Sequence, residues 1–182
     1  MSQLILPPLR RTAADAADVA AVIHKDGIDE AGQPFIGHLA RVAASVRRLA
    51  EWCPFWSDDH RDDAEQVAWL HDVIGTAGAT ERRLRQEGFS LIVIEAVAAL
   101  TPQEGKSYQD LINAIMRDGG LTTVLVKLAD LDDTLDPRWL ARLANDSRSK
   151  IERQYRAARL QMIEAAVEKG WQGSSSAIAP LQ

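Results

Sequence analysis

The chain has 182 residues, which is enough for one domain with a sizeable core, and 46% of them are hydrophobic. Its formal net charge of -5 argues against nucleic acid as a partner, and its single cysteine, Cys53, excludes an internal disulfide and favours a reducing, cytoplasmic location. The N-terminus has neither a basic region nor a long apolar run, so we expect no signal peptide and no membrane span.

The predicted elements begin with an irregular lead-in at residues 1–11, which contains two prolines. Alanine is abundant and alternating β-branched residues are rare, so the chain is predicted to be all-α. Thr12 is a suitable N-cap for a helix that runs to His24. Residues 24–35 contain two glycines and a proline and are predicted to form a polar loop. Such a loop is either the rim of a site or simply solvated.

A second helix is predicted from about Phe35 to Glu51, because its apolar residues alternate spacings of four and three. His38 lies beside this apolar stripe near the start of the helix. Arg41 follows three residues later on the same face. Taken alone, His38 could be a core or capping histidine. Ser57 or Asp58 is then expected to cap the next helix.

That third helix is predicted to carry the segment Ala68-Trp69-Leu70-His71-Asp72-Val73-Ile74. His71 shares an apolar stripe with Ala64, Val67 and Ile74, so it would face the core, where an unpaired polar ring is costly. On such a helix Asp72 is rotated by about 100° around the axis from His71 and displaced by about 1.5 Å along it. An imidazole and a carboxylate that converge on one object best suit a divalent metal.

Asp130 is a further candidate for a metal ligand. It follows a strongly apolar run and is expected to be buried, where a carboxylate must be paired, protonated or metal-bound. Further helices are predicted at 81–87, 90–100, 108–118 and 121–130; the second of these is expected to be buried, and Ser107 to cap the third. A short segment then begins at Pro137. Asp146 or Ser147 is expected to cap a long last helix that ends at about Lys169. Residues 171–182 are expected to form a mobile tail, which leaves 12–170 as the single domain.

These candidates occur in an order, His…His-Asp…Asp, that resembles the HD superfamily of metal-dependent phosphohydrolases. Three blocks are similar to the hydrolase domain of the Rel/Spo alarmone enzymes and small alarmone hydrolases: Ala31-Gly-Gln-Pro-Phe-Ile-Gly-His38 (G-x-P-Y-I-x-H-P), Trp69-Leu-His-Asp-Val-Ile74 (L-L-H-D-V-[VI]) and Val126-Lys-Leu-Ala-Asp130 (V-K-L-A-D). The resemblance covers about residues 13–160, and three blocks in the right order are specific.

The resemblance implies an HD-domain bundle of about seven to nine helices. It makes His38, His71, Asp72 and Asp130 the metal ligands. The metal is usually manganese in these enzymes, although iron, zinc, cobalt or nickel also suit such ligands. A metal-bound water there cleaves pyrophosphate from the 3′ position of the nucleotide. Substrate contacts are expected from Lys25, Arg41, Lys127 and Thr134, and for the three cations an ordinary surface ion pair is the alternative.

The chain departs from the alarmone hydrolases at two places. Gly75 and Thr76 stand where those enzymes carry a Glu-Asp pair, and neither side chain can act as a carboxylate base. A carboxylate outside the motif would have to assist, and the candidates are Asp29, Glu30 and Asp133. The R-x-x-N segment that touches the nucleotide is replaced by Leu131-Asp-Asp-Thr134, whose acidic residues would repel a highly phosphorylated guanosine. A smaller phosphoester fits better.

Three hypotheses follow. The first is a metal-dependent phosphohydrolase that acts on a nucleotide or another phosphorylated small molecule. The second is a catalytically weak or inactive module that binds metal and nucleotide and serves in regulation. The third is a purely structural helical protein whose His-Asp pair is buried and hydrogen-bonded. Metal content separates the third from the others, and nucleotide binding without turnover separates the second from the first.

Overall fold

The computed structural model describes residues 10–173, and within this range the chain forms nine α-helices and no β-strand. The expected all-α fold of about seven to nine helices is confirmed. The helices are α1 (Ala13–Ile23), α2 (Phe35–Ala50), α3 (Asp58–Leu70), α4 (Glu81–Gln86), α5 (Leu91–Leu100), α6 (Tyr108–Asp118), α7 (Leu121–Thr134), α8 (Pro137–Leu140) and α9 (Asn145–Glu168).

Helix α3 lies at the centre of the bundle, where it packs against α1, α2, α5 and α7. Helices α2 and α7 also contact each other, and α9 covers α7. The apolar stripes read from the sequence form the core: Leu39, Val46, Val67 and Leu128 are all inaccessible to solvent. The three helices that carry the candidate ligands are therefore mutual neighbours.

Several helix starts follow from capping residues that the sequence makes visible. Thr12 and Ser107 each close a reciprocal capping box with the aspartate three residues later, and Ser57 caps α3. A cap of this kind contributes about 1 kcal/mol. The expected cap of α9 is wrong: that helix begins after Ala144, without a side-chain cap, and both candidate residues lie in its first turn.

The prediction that α3 continues through Ile74 is also wrong. The helix ends at Leu70, and His71 is its C-cap residue. The amide of Val73 then donates to the carbonyl of Leu70 at 2.9 Å, and Gly75 turns the chain with a φ of 88°. The apolar spacing continues through these tight turns, so the periodicity alone did not reveal where the helix stops.

The loop before α2 is ordered by one aspartate. Asp29 accepts hydrogen bonds from the amides of Ala31 and Gln33 through one oxygen. Its other oxygen accepts from the indole of Trp139, at 2.9 Å, on α8. The loop is thereby tied to a distant helix and forms one rim of the cleft described below.

Two expectations about burial need correction. Leu91 and Ile92 open α5 but are 56% and 65% exposed, because only one face of that helix meets the core. Trp171 falls in the expected mobile tail, yet it is buried and its indole donates to the carbonyl of Leu49 at 3.0 Å. The rest of that tail from residue 174, and residues 1–9 of the lead-in, lie outside the described residues. In the described part of the chain, none of the helices is both long enough and apolar enough to cross a bilayer.

Candidate metal centre

Three helices bring the candidate ligands together. His38 lies in the first turn of α2, His71 caps the C-terminus of α3, and Asp130 lies in the middle of α7. Each of these three residues offers one ligand atom, and the three atoms lie within 4.8 Å of one another. Asp72 follows His71 directly and lies at the solvent side of the cluster, with 42% of its side chain exposed.

The distances suit a shared cation. Nε2 of His38 lies 3.4 Å from Oδ1 of Asp130, and Nε2 of His71 lies 3.9 Å from the same oxygen. Oδ2 of Asp72 lies 3.4 Å from Nε2 of His71 and 4.0 Å from Nε2 of His38. Two ligands at about 2.1 Å from one ion, at a tetrahedral angle, are themselves about 3.4 Å apart. These distances would allow a small ion among the side chains of His38, His71 and Asp130, with Asp72 beside them.

The outer nitrogen of each imidazole is already held. Nδ1 of His71 donates to the carbonyl of Ala68 at 2.8 Å, and Nδ1 of His38 pairs with Oδ2 of Asp133 at 2.8 Å. An imidazole that donates through Nδ1 carries its lone pair on Nε2, which is the tautomer that binds metals. Nε2 of His71 is buried and has no hydrogen-bond partner among residues 10–173. A metal ion would complete it, so the residues fit the metal that the resemblance implies.

The local electrostatics favour a cation. Burial alone would raise the pKa of Asp130, but the Lys127 ammonium, 2.7 Å away, and the imidazole of His38 hold it well below its usual range. Burial opposes protonation of His38, but its contacts with Asp130 and Asp133 outweigh this effect and raise its pKa to about 10. The carboxylates therefore create a field that holds positive charge at the position where a metal would bind.

A cleft of about 420 Å³ opens from this cluster. Three of the four expected substrate contacts, Arg41, Lys127 and Thr134, line it. Lys25 does not line it within the described chain; its ammonium is largely exposed and lies 3.7 Å from Asp26. The structure thus brings Lys25 to a solvated ion pair, which was the alternative considered for it.

The carboxylates proposed to assist catalysis are mostly engaged elsewhere. Asp133 accepts from His38 and also from Nε and Nη2 of Arg41, at 2.6 and 3.0 Å. Both oxygens of Asp29 are used in ordering the loop. Glu30 lines the cleft and is exposed. Asp133 therefore holds Nδ1 of His38, and both of its oxygens already accept hydrogen bonds.

The sequence did not point to several residues that lie at the site. Tyr108 and Tyr155 line the cleft with their rings 5.0 Å apart, and Lys127 lies over the Tyr108 ring. His24 lies beside the cluster, with its ring stacked on Phe35. Tyr155 had the helical spacing of a packing residue and His24 stood at a helix end, so neither carried a local signal of function.

Comparisons with known proteins bear on this arrangement. Among solved structures, the chain is similar to a metazoan orthologue of SpoT that hydrolyses ppGpp, with a TM-score of 0.58 and 18% sequence identity. The alignment covers 87% of this chain and 96% of that one. The fold is the HD-domain fold. This likeness confirms the fold that the three sequence blocks predicted. No family model and no curated protein matches the sequence.

Proposed function

We propose that this HD-domain protein is a metal-dependent phosphohydrolase that acts on a nucleotide or another phosphorylated small molecule. The observation that carries the proposal is Nε2 of His71, which is buried without a partner in the described chain, beside His38 and Asp130. A buried polar atom of this kind costs about 1–3 kcal/mol unless a ligand completes it. A purely structural role for the His-Asp pair would leave that cost without compensation.

The proposed ligands are His38, His71, Asp72 and Asp130. Two imidazoles and two carboxylates suit manganese, and also iron, zinc, cobalt or nickel. When bound, such an ion supplies positive charge that stabilises phosphoryl oxygens and acidifies a nearby water. The remaining roles belong to the chain: Asp133 fixes the His38 ring, and Lys127 keeps Asp130 ionised.

The charges in the cleft support a substrate with few phosphates. Within the described chain the cleft is lined by five carboxylates, two permanent cations and His38, whose pKa is raised to about 10. A divalent ion that displaced the His38 proton would leave an excess of one negative charge. Both cations are already paired, Lys127 with Asp130 and Arg41 with Asp133. A highly phosphorylated nucleotide such as ppGpp, the substrate of the structural neighbour, would find little free positive charge here.

The cleft also has an aromatic lining. Phe35, Tyr108, Trp139 and Tyr155 all line it, with apolar side chains around them. Aromatic rings stack on flat groups such as nucleobases, at about 1–3 kcal/mol per base. The combination of a metal centre, an aromatic lining and little spare positive charge supports a mononucleotide or a similar singly phosphorylated compound as the substrate.

A second function is supported by the two positions that lack an acidic pair. Gly75 offers no side chain, and the hydroxyl of Thr76 donates to the carbonyl of Asp72 at 3.0 Å. A protein that kept the metal and the cleft but lost efficient catalysis would bind nucleotide as a regulatory module.

We also retain the cytoplasm as the proposed location, since Cys53 is a free thiol, as is usual in a reducing compartment. Its side chain is buried, and burial raises its pKa to about 11.

The test is a hydrolysis screen of the manganese-loaded protein with nucleoside monophosphates, phosphodiesters and ppGpp. His71→Ala is the inactive variant, and His60→Ala is its matched control, since His60 is exposed and pairs with Ser57. We expect turnover of a singly phosphorylated substrate that the first variant abolishes and the second keeps. Stoichiometric metal and tight nucleotide binding without turnover would favour the regulatory module. Absence of bound metal would refute both.

A further inference from the structure

Three buried polar side-chain atoms have no hydrogen-bond partner within residues 10–173: Nε2 of His24, Nε2 of His71 and Oη of Tyr108. Folded proteins rarely leave such atoms unsatisfied, and the exceptions often mark sites where a ligand or water completes them. The proposed metal centre accounts for His71, and Tyr108 lines the substrate cleft. His24 has no role in the function proposed above.

His24 is held next to the metal centre. It is the C-cap residue of α1 and its side chain is almost fully buried. Its ring stacks on Phe35, with centroids 4.8 Å apart, and the Phe35 ring lies 5.4 Å from that of His38. This row of rings places an imidazole close to the candidate ligands without making it a member of the ligand cluster.

His24 also lines a hollow that adjoins the cleft. Asp72, Gly75 and Thr76 line the same hollow. These last two residues occupy the positions at which the alarmone hydrolases carry their acidic pair. Asp72 is a proposed metal ligand, and the Thr76 hydroxyl is engaged with a carbonyl. Among the titratable side chains in the described lining of this hollow, His24 is therefore the one that is not a proposed metal ligand.

We propose that His24 contacts the attacking water and accepts its proton. The inference rests on the proposed function. The oxygen of water forms a bond to phosphorus while the bond from phosphorus to the leaving oxygen breaks. The proton of the water moves to the imidazole of His24, and the leaving oxygen then takes a proton from that imidazolium or from solvent. The imidazole of His24 would thus act as the general base in place of the carboxylate that is missing at Gly75 and Thr76.

The surroundings keep this imidazole able to accept a proton. Burial lowers the pKa of His24, and His71 and His38 act in the same direction. Asp72 opposes them but does not reverse the shift. The ring is consequently neutral at pH 7, which is the form that a general base needs.

Two variants separate this role from a structural one. His24→Gln keeps a polar group but cannot accept the proton, and His24→Phe keeps the ring that stacks on Phe35. His60→Gln is the matched control on the surface. Each full-length protein is loaded with manganese and assayed with p-nitrophenyl phosphate and bis(p-nitrophenyl) phosphate. We expect kcat to fall about 100-fold or more in both His24 variants. KM, metal content and unfolding temperature should stay near those of the parent.

The pH profile adds a readout that a packing defect would not change. The kcat of the parent should fall at acid pH as His24 becomes protonated, with a midpoint below 6.5 because its pKa is lowered. The residual kcat of His24→Gln should lack this decline. Retention of at least half of kcat in both variants, or an unchanged acid limb, overturns the assignment.

A binding measurement tests the role of His24 without turnover, so failure of this assignment can be told from failure of the proposed function, which the substrate screen tests. Orthovanadate imitates the geometry of phosphoryl transfer and is not turned over, so its affinity for the manganese-loaded protein can be measured without activity. If His24 contacts the oxygen in the position of the attacking water, His24→Phe should weaken vanadate binding by about tenfold, which corresponds to the loss of one buried hydrogen bond. Equal vanadate affinities in the parent and this variant overturn the assignment.

Discussion

Replacing Asp133 by alanine is expected to weaken metal binding, although Asp133 is not among the proposed ligands. Its carboxylate holds Nδ1 of His38 at 2.8 Å and accepts two hydrogen bonds from Arg41. Without it, the His38 ring loses its fixed orientation and the guanidinium of Arg41 is left near the centre without its counter-charge. Loss of an outer partner of this kind typically costs about 10–100-fold in metal affinity. That range corresponds to about 1.4–2.8 kcal/mol.

The assay is calorimetric titration of the metal-free protein with manganese. Asp133→Asn keeps an oxygen that can accept from His38, so its affinity should lie between those of the parent and Asp133→Ala. Asp118→Ala is the matched control, because Asp118 is exposed and pairs only with the neighbouring Arg117 in the described chain. If Asp133→Ala bound manganese as tightly as the parent, His38 would not be a ligand oriented by Asp133, and the account of the centre would be wrong.

Four further predictions concern stability, metal and pH. Lys127→Met removes the nearer of the two cations beside the buried Asp130 and leaves only the His38 imidazolium, so it should lower the metal-free free energy of unfolding by about 1–3 kcal/mol in urea. An unchanged value would contradict the pairing of Lys127 with Asp130. Manganese at about 100 times its Kd should add about 2.7 kcal/mol to the parent but not to His71→Ala. Because neighbouring carboxylates raise the pKa of His38 to about 10, manganese must displace a proton, and its affinity should rise about tenfold per pH unit between pH 6 and 8. A pH-independent affinity would exclude His38 as a ligand. Trp171→Ala should cost about 3–5 kcal/mol, since the indole is buried, and a near-neutral result would place Trp171 outside the core.

The sequence predicted those parts of the fold that depend on local rules. The spacing of apolar residues located α2, and the N-cap residues Thr12 and Ser107 located the starts of α1 and α6. The ligand candidates were found because His38, His71 and Asp130 each sit inside a recognisable block. Their convergence depends on how α2, α3 and α7 pack together, which the spacing of residues does not predict. It was expected only because the three blocks match the HD superfamily in the right order.

The parts that the sequence did not predict depend on contacts between distant segments. The end of α3 is fixed by turns after Leu70 that preserve the apolar spacing of a helix. Trp171 packs into the hydrophobic core, where its indole donates to the distant carbonyl of Leu49. The proposed role of His24 depends on a nitrogen without a hydrogen-bond partner in the described chain and on the stacking of its ring on Phe35. The sequence shows only a histidine at the end of a helix and predicts neither feature.

Anomalous diffraction from a manganese-soaked crystal, collected at the manganese absorption edge, tests the central claim most directly. The account predicts one peak about 2.2 Å from Nε2 of His38, Nε2 of His71 and a carboxylate oxygen of Asp130. A map without a peak at this cluster, in a crystal that holds manganese at saturating concentration, would contradict it. The buried charge of Asp130 would then be explained by its pairing with Lys127 and His38.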